Sequence, residues 1–190
     1  NEFYQAYQNQ KSDKAVWTYL EARNYYDKIK QMGVQLEFPE KYAAYYNEVK
    51  RDHLASSYQN AYKLLQQERF IEAEEILESI VEIDPEYKDV EAMLVEAKYE
   101  PVFREAREAM DDEKYYTAYS LFDDILSQHA TYKNAASLKE QCLDKGQVTI
   151  SLLPVKDGTG HYEATQMMQA RFAGELNNMS NPFLKIVEQP

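Results

Sequence analysis

The chain has 190 residues, 44% of them hydrophobic, and a net charge of −12. That length suits one or two domains with a buried core, and the acidity argues against nucleic acid, whose phosphates are held by Lys and Arg. No apolar run approaches the roughly 18 residues that span a bilayer, and a single cysteine excludes an internal disulfide.

The chain opens at Asn1 with neither Met nor a signal peptide, which reads as a processed or truncated start. From Asn1 to about Met32 a helical pattern is expected, with Phe3, Tyr7, Trp17, Leu20, Tyr25 and Ile29 as apolar positions and a capping break at Ser12-Asp13. Gly33 suits a left-handed cap that ends it. Phe38-Pro39-Glu40 then restarts a helix to about His53, with Pro in its favoured first turn.

Residues 55–100 and 100–145 read as two copies of one unit. With a shift of 45, Tyr58-Gln59-Asn60-Ala61 returns as Phe103-Arg104-Glu105-Ala106, and Glu68-Arg69-Phe70-Ile71-Glu72-Ala73 returns as Glu113-Lys114-Tyr115-Tyr116-Thr117-Ala118. Leu77 and Ile80 become Phe122 and Ile125, and Tyr87-Lys88-Asp89 becomes Tyr132-Lys133-Asn134. Helices are expected over 55–68 and 71–83, with a third launched by Asp84-Pro85 and running to Tyr99; Pro101 is expected to open the next copy in the same way. Residues 1–54 carry an echo, Tyr19-Leu20-Glu21-Ala22 against Phe70-Ile71-Glu72-Ala73, and Pro39-Glu40-Lys41-Tyr42 against Pro85-Glu86-Tyr87-Lys88. They read as a divergent first unit.

Ala61, Leu64, Ala73, Leu77, Ile80 and Pro85 resemble the small, large and proline positions of the tetratricopeptide motif. The second copy departs from it, with Ala109 for the first large residue and Ala130 for the proline, and the period of 45 is longer than the usual 34. The resemblance implies a right-handed helical array over 1–146 that binds other proteins rather than catalysing a reaction.

At Gly146 the pattern changes. Gln147 to Pro154 alternates like a strand, Asp157-Gly158-Thr159-Gly160 reads as a connecting loop, and Ala164, Met167, Met168, Phe172 and Leu176 form a helical stripe. Phe183-Leu184-Lys185-Ile186-Val187 reads as a second strand, making 147–190 a short βαβ segment whose sheet needs further strands, from the rest of a domain or from another chain. Val148-Thr149-Ile150-Ser151-Leu152-Leu153-Pro154, the Gly loop, the helix and Leu184-Lys185-Ile186-Val187-Glu188 resemble the opening of an envelope domain. It is shared by curli-secretion channel lipoproteins, lipoproteins that activate peptidoglycan synthases and the amino-terminal domain of the Tol-system propeller protein. The resemblance implies a periplasmic, outer-membrane-associated protein, a lipid anchor upstream of Asn1, and self-association through the α/β domain.

Residues for chemistry are sparse. His53, His129 and His161 lie in different units without ligand spacing. Asp111-Asp112-Glu113 and Asp123-Asp124 lack the alternation and Gly of a calcium loop. Cys142 falls in an apolar stripe and reads as a buried thiol, so no metal, cofactor or enzymatic activity is expected. Acidity is uneven: residues 1–54 hold eight acids and eight bases, whereas 55–100 hold twelve acids and four bases. This is either a solvated helix face or an attraction for a basic partner.

The unusual composition is aromatic, with 17 Tyr and one Trp. Trp17, Tyr25, Tyr26, Tyr45 and Tyr46 are the candidate partner-binding residues, since two adjacent residues on a helix cannot face one core. Such rings either line a groove for peptide or sugar or are taken up by packing. The expected function is a non-enzymatic interaction scaffold in a cell-envelope secretion or assembly complex; a glycan or peptidoglycan binder, or an activator of cell-wall enzymes, is the alternative.

Overall fold

The computed structural model describes residues 2–153, 158, 162–179 and 181–188. Among these the chain is mainly helical, with α1 (Glu2–Gln8), α2 (Ser12–Gln31), a 3-10 turn (Glu40–Tyr42), α3 (Ala43–Gln66), α4 (Phe70–Ile83), α5 (Val90–Asp111), α6 (Tyr115–Gln128), α7 (Ala135–Gly146) and α8 (Tyr162–Asn177). Two strands complete it, β1 (Val148–Leu152) and β2 (Leu184–Glu188), paired in parallel. No helix among the described residues is long and apolar enough to cross a membrane. The chain forms two compact units, 1–98 and 99–190, each with its own buried residues.

The repeat expected from sequence is present in the backbone. Glu68 and Glu113, 45 residues apart, both adopt left-handed φ, +58° and +61°. In each turn the residue that follows donates its N–H back across the bend: Arg69 to the Leu64 carbonyl at 2.9 Å, Lys114 to the Ala109 carbonyl at 2.8 Å. The helix then entered carries a fully buried alanine, Ala73 or Ala118, four residues past that N-cap, and a fully buried large residue, Leu77 or Phe122. A methyl group at the first position lets two helices approach closely, and the larger side chain fills the space beyond.

The same turn occurs a third time, at Gln10. Its φ is +55°, Lys11 N–H reaches the Ala6 carbonyl at 3.0 Å, and Ala15 is fully buried. The first unit therefore aligns Ser12-Asp13-Lys14-Ala15 with Phe70-Ile71-Glu72-Ala73, a correction to the echo expected at Tyr19 to Ala22. Tertiary burial of Ala15, not similarity of the flanking letters, marks the equivalence. Lys11 is also the N-cap of α2 and no side chain caps it, so Ser12-Asp13 does not supply the expected cap.

Three boundaries differ from expectation. The helix expected to stop at His53 continues to Gln66, because Val49, His53, Leu54 and Ala61 fall on one buried stripe of α3. Asp84 is extended after α4, and Pro85 lies in the turn rather than at a first helical position; α5 begins only at Val90. Pro101 lies inside α5 rather than opening a helix. It has no N–H for the Ala97 carbonyl, a local cost that the buried Ala97, Phe103 and Ala106 on either side offset. A third helix of one copy is thus the first helix of the next.

The Tyr-Lys-Asp/Asn motif also acquires a reason. Lys88 and Lys133 have left-handed φ of +52° and +43°. Each brings its ammonium over an aromatic ring of the first helix of its hairpin, Lys88 at 3.9 Å from Tyr58 of α3 and Lys133 at 5.3 Å from Phe103 of α5. The neighbouring tyrosine meets the same ring edge to face, Tyr87 on Tyr58 and Tyr132 on Phe103, both at 74°.

In the second unit this motif gathers round a buried carboxylate. Glu100 accepts from Tyr132 Oη at 2.9 Å, from Arg104 at 3.0 Å and from the Lys133 ammonium. Burial pushes its pKa upward, but the bonds from Lys133, Arg104 and Tyr132 outweigh that and hold it below its ordinary 4.5. A lowered folded pKa stabilises above the unfolded value and is lost as pH falls through the folded one. The urea midpoint of wild type is therefore expected to exceed that of Glu100→Gln near neutral pH, and the gap to close well below pH 4.5.

The C-terminal segment is a parallel strand–helix–strand crossover, as its alternation predicts, in register from Val148 opposite Leu184 to Leu152 opposite Glu188. Phe183 anchors it, sitting 5.2 Å from the Tyr119 ring and 5.6 Å from Tyr116, beside Gly146 at the end of α7. The apolar stripe read on α8 is present but mostly uncovered: Met167, Met168 and Phe172 are 74%, 72% and 59% exposed, Leu176 is half-buried, and among the described side chains of this helix Ala173 is the buried one. A helix over two strands has room to bury one line of contact, not a full apolar face. Of the loop expected at Asp157 to Gly160, only Gly158 lies within the described residues, and His161 lies outside them.

Candidate functional site

The side chains that converge best lie in the first unit, where the short helix α1 packs near the start of α3. Tyr4 and Tyr7, one turn apart on α1, stack at 6.2 Å. Tyr45 of α3 closes on both, at 5.7 Å from Tyr4 and 4.8 Å from Tyr7, and Tyr42 lies 6.0 Å from Tyr4. The Tyr7 hydroxyl donates to Glu48 Oε2 at 3.0 Å; that bond, then burial, raises the pKa of the phenol.

Beside this aromatic wall lies a groove of about 580 Å³, lined by Tyr7, Gln8, Gln10, Ser12, Glu48, Val49 and Asp52. Glu48 and Asp52 are four residues apart and so share a face of α3. The left-handed turn at Gln10 brings the amides of Gln8 and Gln10 to the same groove. His53 Nδ1 lies 2.7 Å from Asp13 Oδ1 and ties α3 to α2 nearby. Two carboxylates, two amides, a hydroxyl and a ring edge can receive a cationic side chain or a polyhydroxylated ligand.

The five aromatic residues singled out from sequence do not form one site. Tyr45 belongs to the wall just described. Tyr46, its neighbour, turns to α2 and stacks on Tyr19 at 4.0 Å and 11°, where burial raises its pKa. Trp17 is half-buried against the core. Tyr26 donates to the Leu36 carbonyl at 3.0 Å and meets Phe38 edge to face, while Tyr25 beside it is 59% exposed. Sequence reading missed Tyr7 as a site residue, and with it Gln8, Gln10, Ser12, Glu48 and Asp52. One signal was present: Tyr45, Glu48 and Asp52 follow helical spacing on one face, aromatic then acidic.

The other candidates are accounted for by packing and surface pairing. Cys142 is fully buried and burial pushes its thiol pKa up. Asp112 pairs with Lys114 at 2.8 Å and Asp123 with Lys139 at 2.5 Å. Among the described residues no cluster of three His, Cys, Asp or Glu side chains is placed to hold a metal ion.

No family model, curated protein or solved structure matches the chain. Its functional reading therefore rests on the residues and their geometry.

Proposed function

We propose that this protein is a non-enzymatic docking scaffold of a bacterial cell-envelope complex, and that the groove between α1 and α3 receives a cationic side chain of a partner protein. The groove carries the reading: two carboxylates of one helix face it beside a tyrosine ring, in a chain of net charge −12. An ammonium or guanidinium there gains charge-assisted hydrogen bonds and a ring contact together. Repeated helical hairpins with buried alanines at 73 and 118 support the tetratricopeptide-like reading. The parallel crossover at 148–188 and its resemblance to envelope lipoprotein domains support a periplasmic, outer-membrane-associated setting with a lipid anchor.

Titration with Lys- and Arg-containing peptides, followed by the fluorescence of Trp17, tests the groove. A charged hydrogen bond contributes about 1.5–3 kcal/mol, so Glu48→Gln or Asp52→Asn is expected to weaken binding roughly tenfold or more, and added salt to weaken it further. Equal affinity in wild type and the double variant sinks the proposal. The amides and Tyr7 favour a second reading, a glycan or peptidoglycan ligand. Cell-wall fragments would then bind with little dependence on salt, and the charge-neutral variants would keep most of that affinity.

A further inference from the structure

β1 presents an edge that no described strand covers, and beside it the chain leaves apolar surface open. A groove of about 440 Å³ is lined by Ser151, Leu152 and Leu153 of the β1 end and by Met168, Gln169 and Phe172 of α8. No residue of β2 contributes, so the groove lies on the side of β1 away from its partner strand. Leu153, Met168 and Phe172 are 66%, 72% and 59% exposed.

The backbone of β1 is divided by parity. Val148 N–H donates to the Phe183 carbonyl at 2.7 Å, towards β2. In a parallel ladder Ile150 and Leu152 therefore also face β2, and the N–H and C=O groups of Thr149 and Ser151 face outward. Side chains follow the same period: Val148, Ile150 and Leu152 share the face that α8 covers. That cover is uneven, since Leu152 is buried at 8% while Val148 is 56% exposed.

We infer that β1 is a self-association edge, pairing antiparallel with β1 of a second copy about a two-fold axis at Ile150. In this register Thr149 of each copy stands opposite Ser151 of the other, so all four outward-facing backbone groups meet as hydrogen-bonded pairs. Val148 then stands opposite the other copy's Leu152 and enters the groove beneath its Met168 and Phe172, the exposed valine filling the open site. Both α8 helices lie on one face of the resulting four-stranded sheet, which covers more of their apolar stripe.

Charge favours a second copy at this place. The chain repels itself at −12 overall, yet Gln147 to Leu153 contains no charged residue. Nor does β1 carry the Lys, Pro or bulge with which edge strands block such pairing. This inference does not depend on the groove between α1 and α3.

Sedimentation equilibrium over a concentration series tests it, with Val148→Lys and Ser151→Pro as variants. Val148 is exposed, so a lysine is tolerated by the single chain but leaves a charge in the paired sheet. Proline at 151 removes an outward N–H and spares the ladder to β2. Wild type is expected to approach twice the 22.3 kDa chain mass, and both variants to stay at the single mass with unchanged far-ultraviolet dichroism. If Ser151→Pro fails to fold, Val148→Lys decides alone. A wild type that stays at single mass at its highest soluble concentration, or a Val148→Lys protein that still doubles, overturns the inference.

Discussion

Phe122→Ala is expected to lower stability by about 3–5 kcal/mol, the cost of removing a buried aromatic side chain and leaving a cavity. Phe122 has no exposed surface, and its ring meets Phe103 edge to face at 5.7 Å. Phe103 in turn meets Tyr132, so the deletion removes one end of a row of three edge-to-face rings centred on Phe103. Leu77→Ala, the equivalent change in the preceding copy, lacks the ring contact and is expected to cost about 2–5 kcal/mol. Ile71→Ala is the control: Ile71 is 75% exposed and its loss should fall within about 0.5 kcal/mol. Urea unfolding followed by far-ultraviolet dichroism measures all three. A Phe122→Ala protein as stable as the control would remove this position from the core of the repeat.

Gly146→Ala is expected to destabilise by about 1–3 kcal/mol, although alanine is the better helix former. A Cβ at 146 would stand 2.7 Å from Phe183 Cε1 and 2.8 Å from Tyr115 Cβ. The ring is wedged between Tyr116 and Tyr119, and a Cβ atom moves only with its backbone, so neither neighbour yields cheaply. The glycine here provides close approach, not an unusual φ. Phe183→Leu should relieve the ring part of this clash but not the Tyr115 Cβ contact, so Gly146→Ala in that background is expected to cost less than in wild type. The coupling between the two changes, read from the double-mutant cycle in urea, reports the contact itself. Additive effects of the two changes would show that Phe183 does not press on this position.

The repeat was legible because its letters recur with the period of its structure. Leu77 and Phe122, Ala73 and Ala118, Glu68 and Glu113 are equivalent both in sequence and in burial or φ. The first unit was misaligned because short matches such as Tyr19 to Ala22 carry little information. Its turn at Gln10 is recognised by a left-handed φ and one backbone hydrogen bond that no residue type enforces. Pro101 misled for a related reason. Proline disfavours a helix interior but does not forbid it, and burial on both sides of α5 prevails over that local preference. The α8 stripe shows the converse limit, since periodicity identifies an apolar face but not whether anything covers it.

By itself the sequence determined the element types, the 45-residue period, the excess of negative charge and the change from helical to alternating pattern at Gly146. These are local properties, set by side-chain spacing and backbone preference within a few turns. The tertiary structure decided which tyrosines meet: Tyr45 joins Tyr7 and Glu48 at a groove, whereas Tyr46, one residue on, is held against Tyr19. Tyr7 and Glu48 are 41 residues apart, and their meeting depends on how α1, turned onto α2 at Gln10, and α3 pack together. Such an approach is set by the packing of whole helices, so the candidate site became visible only when the chain was folded.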